Sequence, residues 1–528
     1  MVGFASARLT RDQLVLFPQR LDEAISPDAA VRVLDEILEQ LDWSSWEQHF
    51  HLRHGQPPIH PRTLAAIVLQ GILCGIHSSR RLEEACHVRL DFRWLACGVT
   101  PDHTTISKFR TAHADALRQL FVQIGRIAAE LGHLSFQRLG FDGTRLRANN
   151  RKSGTRTAAE IAALAEQLKH QFNAAQAQAH AQDAQQQQLF EQESSANSSD
   201  SLTTREQRRR SVAEALEELK RLEAGEFGGS VPERLPIVDP HSRVMPNKQG
   251  GFAPNYTPTA LVDIDSGFIV GADVLSTCSE EHAMLPAVDE AMADFELAGP
   301  PRELLADGNM HGGANIAACE SRGIDFLCPP PGELRATLVA ERDDPQQPLA
   351  AELIDQLPTR EVTAGGQKRT IFDKAAFVYD EENNCFWCPQ GERLEYGNTH
   401  TPKDGATRHR FWASKTSCAA CPLRERCLSS DSKKRRQIDC GDQEAAMRRH
   451  AKKMAGATAQ ERYADRRTAG ERPFALIKSH FGVRQFAHRG RTKVRQEWFW
   501  LVTAHNIKLL LGLLRRSGAD PPLAAATG

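Results

Sequence analysis

Three acidic residues, Asp142, Asp307 and Glu471, have the types and settings needed to hold metal ions. Two share a pattern. Leu139-Gly-Phe-Asp142-Gly-Thr144 and Leu304-Leu-Ala-Asp307-Gly-Asn309 each read as an apolar strand, an aspartate and a glycine. Strand ends are where sheets flanked by helices present functional groups. Aspartate also favours turns, so neither residue alone decides anything. Glu471 stands in Arg466-Arg467-Thr-Ala-Gly-Glu471-Arg-Pro-Phe474, with Lys478 further on. On one continuous helix, positions 467, 471, 474 and 478 would share a face. Carboxylates are the hard oxygen ligands that hold two Mg²⁺ or Mn²⁺ ions about 3.5–4 Å apart. Such a pair serves phosphoryl transfer, one ion activating the attacking oxygen and the other stabilising the leaving one. Arg467 and Lys478, with Arg466 as the alternative to Arg467, would clamp a phosphate.

A second group of residues suited to metal is formed by cysteines. Of twelve in the chain, six fall between 385 and 440. Cys385-x-x-Cys388 and Cys418-x-x-Cys421 have the paired spacing of a four-thiolate zinc site. Cys427 is an alternative ligand, and an iron–sulfur cluster an alternative occupant. This stretch reads as poor in apolar residues, so a metal would supply its folding energy. The other six cysteines lie in apolar contexts and read as buried thiols. No signal peptide is visible, and the longest apolar run, 64–76, is too short to span a bilayer. The reading is therefore a cytoplasmic protein with no membrane partner and no disulfide framework.

Positioning these groups takes more than one core, since the chain has 528 residues. Its formal net charge is −1, which excludes a globally basic protein. The charge is unevenly spread: Lys433 to Arg436, Arg448, Arg449, Lys452, Lys453, Arg466, Arg467, Arg484, Arg489, Arg491, Lys493 and Arg495 make a basic stretch of the kind that meets phosphates. Residues 10–134 read as helices. The run from Arg80 to Arg110 reads as helix, turn and polar helix, compatible with a helix-turn-helix in which Lys108 and Arg110 contact DNA. A strand ends at Asp142. Residues 155–225 then turn rich in Ala, Gln and Glu. A capping box at Thr157 and Glu160 and apolar repeats at Ile161, Leu164, Leu168 and Val212, Leu216, Leu219 read as a helical hairpin around a polar loop, 193–200. A β-hairpin turning at Asp265-Ser-Gly267, a helix, the strand before Asp307, a further helix and a strand at 324–328 follow. That order gives an α/β (α+β) core.

Taken with these motifs, the chain resembles the bacterial DDE insertion-sequence transposases. The matching pieces are Thr105-Ile-Ser-Lys-Phe-Arg110, Phe-Asp142-Gly-Thr, Ala-Asp307-Gly-Asn-Met-His-Gly-Gly, Gly323-Ile-Asp-Phe-Leu-Cys-Pro, Tyr463-Ala-Asp-Arg-Arg467-Thr-Ala-Gly-Glu471 with Lys478, and Ala504-His-Asn-Ile507. The Tyr, Arg, Glu, Lys pattern is one residue longer than the commonest form if Arg467 is the arginine, which leaves Arg466 and Arg467 as alternatives. The resemblance implies an RNase H-like mixed sheet flanked by helices. It implies Asp142, Asp307 and Glu471 as catalytic Mg²⁺ or Mn²⁺ ligands, strand cleavage and transfer at terminal inverted repeats, and a homodimer or larger synaptic complex on DNA. The expected order is a helical DNA-binding domain (1–134), the core in three parts (135–154, 229–335, 453–516), a helical-hairpin insertion (155–228), a Cys-rich insertion (336–452) and a tail (517–528). A DNA-binding descendant without catalysis and a metal-dependent hydrolytic nuclease are the alternatives.

Overall fold

The computed structural model describes residues 20–49, 57–186, 199–225, 232–247, 250–331, 337–364, 367–402, 405, 407–430 and 433–517. It divides into two units, one of residues 1–131 with 475–528 and the other of 132–474. Among the described residues no helix is long and apolar enough to cross a membrane.

The first unit is helical. Its N-terminal part holds α1 (Ala30–Glu39), α2 (Pro61–Leu73), α3 (Ser79–Val88), α4 (Leu90–Leu95), α5 (His103–Ala112) and α6 (Ala114–Glu130). Proline begins α2, where its missing N–H costs nothing, and the His60 ring accepts from Arg62 N. Asp102 caps α5 by accepting from Thr105 N at 2.8 Å. The C-terminal helix Arg491–Ser517 belongs to the same unit. Trp46 stacks on Phe109 at 4.8 Å and meets Trp500 of that helix at 6.1 Å. Burying such aromatics contributes more than any surface pair can.

The second unit is built on a mixed sheet of β1 (Arg138–Gly143), β2 (Phe252–Asp263), β3 (Ile269–Leu275), β4 (Glu303–Ala306) and β5 (Asp325–Leu327). Its order is β3-β2-β1-β4-β5. β2 runs antiparallel to β1 and β3, whereas β1, β4 and β5 run parallel. The parallel strands bury their apolar residues, Leu139, Phe141, Leu304, Leu305, Phe326 and Leu327, as strands covered on both faces do. The β2–β3 turn has Gly267 at φ +80°, a conformation that favours glycine.

Between β1 and β2 the chain forms α7 (Ala158–Gln186) and α8 (Ser199–Glu223). The capping box forms as read: Thr157 N donates to Glu160 Oε2 at 2.9 Å, and Glu160 N to Thr157 Oγ1 at 3.3 Å. Ile161, Leu168, Val212 and Ala215 form the seam between the helices. Most of the loop expected between them lies outside the described residues.

The Cys-rich insertion is a five-stranded antiparallel sheet of β6 (Val378–Asp380), β7 (Cys385–Trp387), β8 (Arg393–His400), β9 (Arg408–Ala413) and β10 (Gln437–Cys440). The expectation that it lacks apolar material is wrong. Phe372, Phe377, Phe386, Leu394, Phe411 and Ile438 form a buried core there. They are spread thinly over a long stretch, so no periodic run announces them.

Candidate active site

Parallel pairing of β1 with β4 sets Phe141 opposite Ala306, so Asp142 and Asp307 follow side by side at the carboxyl ends of neighbouring strands. Asp142 accepts from its neighbour Gly143 N at 2.9 Å and pairs with Arg466 Nη2 at 3.1 Å. Its side chain is 15% exposed. Burial pushes its carboxyl up to about 6; Arg466 and the Gly143 N–H oppose this, and the charges of Glu280 and Asp307 add to it. Asp307 is held differently. It caps the turn Gly308–Met310, accepting from Asn309 N at 2.7 Å and Asn309 Nδ2 at 3.2 Å. Two oriented carboxylates therefore share one edge of the sheet, one of them at the cost of desolvation.

Arg466 comes from α10 (Ala457–Ala469), which follows α9 (Glu444–Ala455) and carries Tyr463, packed with Leu305 and Leu327. Arg466 is buried and faces Asp142, whereas Arg467 is exposed. The geometry thus selects Arg466 as the arginine at the carboxylates. The helical face expected to join 467, 471, 474 and 478 does not form. Helix α10 stops at Ala469, and Gly470 N closes its last turn on Arg466 O at 2.8 Å. Pro473 has no N–H to continue the ladder, so α11 (Arg472–Ser479) starts afresh. Glu471 sits exposed in the turn between them, and Lys478 lies in the last turn of α11. Among the described residues no three acidic, His or Cys side chains form a ready metal group.

Two functional neighbours escaped the sequence reading. Glu280 ion-pairs with Arg145 at 2.8 Å, and Arg145 also donates to Thr257 Oγ1 at 2.9 Å and Cys278 O at 2.8 Å. Glu281 packs against Gly312 in the loop after Asp307. The available signal was a Glu-Glu pair after a strand end, with glycines in both aspartate loops. A Cβ on Gly143 would lie 2.5 Å from the Glu280 carboxyl, which Arg145 holds in place. Gly143→Ala is therefore expected to displace Asp142 and lower turnover by ~10²-fold. Gly308→Ala, whose Cβ meets nothing closer than 3.4 Å, is its steric control in the same assay. Equal activities for the two would refute the packing argument.

Residues 387–511 match the family model of a transposase DDE domain, and residues 19–112 match that of a transposase domain (DUF772). These two matches support an insertion-sequence DDE transposase. A DDE transposase domain implies, in general, a DNA substrate, strand cleavage and transfer, and divalent ions such as Mg²⁺. It also implies an RNase H-like fold, with which the mixed α/β architecture is compatible. The DDE match includes Glu471 and Arg466 but neither aspartate. No curated protein matches the chain.

The helical unit revises the DNA contacts read from sequence. Lys108 is exposed on α5, but Arg110 is buried and donates to His77 O at 2.6 Å. Arg110 is a core residue because α5 is gripped on that side by Trp500, whose Nε1 donates to Arg110 O at 3.2 Å. Part of the basic stretch is buried or ion-paired within the protein. Arg436 and Arg448 are buried on backbone carbonyls, and Arg449 and Lys453 pair with Glu320, Glu381 and Asp325. A basic hollow of about 380 Å³ does remain in the helical unit, lined by Arg118, Arg491 and Arg495 together with Asp115. The N-termini of α6 and of Arg491–Ser517 open beside it.

The thiols also regroup. Cys385 starts β7 among Asp380, Arg393 and Glu395, whereas Cys388, Cys418, Cys421 and Cys427 line one small cavity. Cys385 of the expected ligand set thus lies apart from the other three, whereas the alternative ligand Cys427 lies with them. Strand β7 carries the first cysteine away from the turn that holds the second.

Proposed function

We propose that this transposase cuts and joins DNA strands at the ends of an insertion sequence, with Asp142 and Asp307 as its shared metal ligands. The observation that carries the reading is their side-by-side placement at the ends of adjacent parallel strands, with the buried Arg466 guanidinium against Asp142. The residues present fit divalent ions. Their donors are hard oxygens, and Asp142 is buried beside two further negative charges, a repulsion that a cation relieves. Mg²⁺ commonly takes only one or two protein carboxylates and fills its shell with water and substrate phosphate oxygens. When bound, the ions supply a nucleophile at neutral pH and charge stabilisation on the oxygens of the in-line displacement.

The protein groups orient that displacement. The Gly143 N–H and Arg466 fix the Asp142 carboxylate, and Asn309 fixes that of Asp307. Arg466 retains a buried Nε without a protein partner, a donor available to a phosphate oxygen. Glu471 is the third carboxylate of this reading, joining the pair once DNA and metal are in place. Glu471→Gln tests that role: a loss of joining as large as that of Asp307→Asn supports it, and retained joining removes Glu471 from the site.

The decisive experiment offers DNA carrying the flanking inverted repeats together with Mg²⁺ or Mn²⁺. Joined products support the transposase reading; cleavage without joining supports a nuclease; binding alone supports a descendant without catalysis. We assign Lys108 and the arginine-lined hollow to the DNA backbone. Lys108→Ala and Arg491→Ala are each expected to reduce the slope of log K against log salt by about 0.9 for every phosphate the variant no longer neutralises. An unchanged slope would place both residues off the DNA.

A further inference from the structure

The Cys-rich sheet carries a group of thiols that catalysis does not use. Cys388 ends β7 in a tight turn: Cys388 N donates to Glu392 O at 2.9 Å, and Gly391 N to Cys388 O at 2.9 Å. Gly391 has φ +79° and a Cβ there would run into the backbone of Gln346, so the turn requires glycine. Cys418 lies on the short helix Lys415–Ala419, Cys421 just after it, and Cys427 at the end of Arg424–Cys427. These pieces are tied together through their backbones. Arg424 Nη1 donates to Cys418 O at 3.1 Å, and Arg436 Nη1 to Cys427 O at 2.7 Å. The four cysteines then line one cavity of about 30 Å³, with Arg424 and Arg436 also in its wall. All four are free thiols.

We propose that Cys388, Cys418, Cys421 and Cys427 bind a single thiophilic divalent cation, Zn²⁺, that pins the two short helices to the β7 turn. Four cysteine sulfurs are a usual closed tetrahedral donor set for zinc, with Zn–S near 2.3 Å. Among the described residues no three donors already stand as a metal group, so binding draws the sulfurs inward by side-chain rotation. Four thiolates on one Zn²⁺ leave an excess of negative charge, and the guanidiniums of Arg424 and Arg436 in the cavity wall offset it. The cavity suits one ion better than an iron–sulfur cluster, which has the volume of several atoms. Phe377, Phe386 and Phe411 give the sheet a core of its own, so the ion fixes one flank of the insertion rather than creating its fold.

The test is metal content of the purified full chain after exposure to ZnCl₂ and removal of free metal. It does not depend on DNA or on catalysis. The expected result is one zinc per chain in the parent and in Cys385→Ser, with less than a tenth of that in Cys421→Ser and Cys427→Ser. Zinc lost in Cys385→Ser and kept in Cys427→Ser would overturn the ligand set. A parent that takes up no zinc, or that carries iron with visible cluster absorption, would overturn the ion. If the Cys427 variant does not fold, Co²⁺ substitution decides: the parent and Cys385→Ser should give the same tetrahedral thiolate spectrum, and its absence from the parent refutes the site.

Discussion

Asp142→Asn is expected to abolish strand cleavage and joining, by ~10³-fold or more, and at the same time to make the metal-free protein more stable. The first effect follows from the proposed role of Asp142 as an anionic ligand shared by the ions. The second follows from the carboxyl itself. Its value in the folded chain is about 6, against an ordinary 3.8, and burial is the main cause. A group with a raised value holds its proton in the folded chain where the unfolded chain has released it. Stability therefore falls as pH rises from 3.8 to about 6, and the full cost persists above that. About two pKa units correspond to roughly 3 kcal/mol at 1.36 kcal/mol per unit. The Arg466 attraction is already contained in that figure, since it lowers the same carboxyl. Asparagine carries no charge to desolvate. Melting curves in EDTA should place the variant above the parent at pH 7 and level with it near pH 4. Added Mg²⁺ should raise the parent alone. Equal stability at pH 7 would mean that Asp142 is not a strained carboxylate.

Glu497→Ala is expected to cost about 3–5 kcal/mol of stability in the helical unit. Glu497 is buried on the C-terminal helix and accepts from Ala487 N at 2.9 and 3.1 Å, from His488 N at 3.0 Å and from His488 Nδ1 at 2.8 Å. One carboxylate thus ties the 487–488 segment to the helix. Burial works against its charge, but the His488 ring, the Ala487 N–H and Arg110 together hold its carboxyl below the usual 4.5. Its contribution is therefore present above pH 4.5 and is lost as pH falls through the lower folded value. Arg110 is the buried counter-charge, so Arg110→Ala should lower the melting temperature before it alters DNA binding. Lys108→Ala should do the reverse. A denaturation series on the three variants separates the roles, and an Arg110 variant as stable as the parent would reopen its assignment to DNA.

The readable parts of this molecule were those written in neighbouring residues. Leu-rich strands ending in Asp-Gly declared Asp142 and Asp307, and Thr157 with Glu160 declared a helix start that the structure contains. The misread parts depend on partners distant in sequence. Arg110 looks like a helix-face cation until Trp500 closes over its backbone. Arg448 and Arg449 look like DNA ligands until Glu444, Glu320 and Glu381 claim them. C-x-x-C spacing points to Cys385, yet β7 sets it apart from the cavity that Cys388, Cys418, Cys421 and Cys427 line. Gly470 and Pro473 break the helical face that the spacing of Arg467, Glu471 and Lys478 suggests.

The insertion of α7 and α8 between β1 and β2 has a consequence for how the molecule comes into being. Gly143 pairs with Thr259, and Phe141 with Ala306, so the central strand finds both neighbours only after long excursions of chain. Loop closure over such distances is slow, and pairing of this kind forms late. On a ribosome the first aspartate would emerge well before its strand partners, leaving an apolar strand with two open edges in the interval. A helical hairpin whose seam joins helices near in sequence gives the nascent chain an early body beside that exposed strand. The active edge would then be among the last features of this unit to take shape.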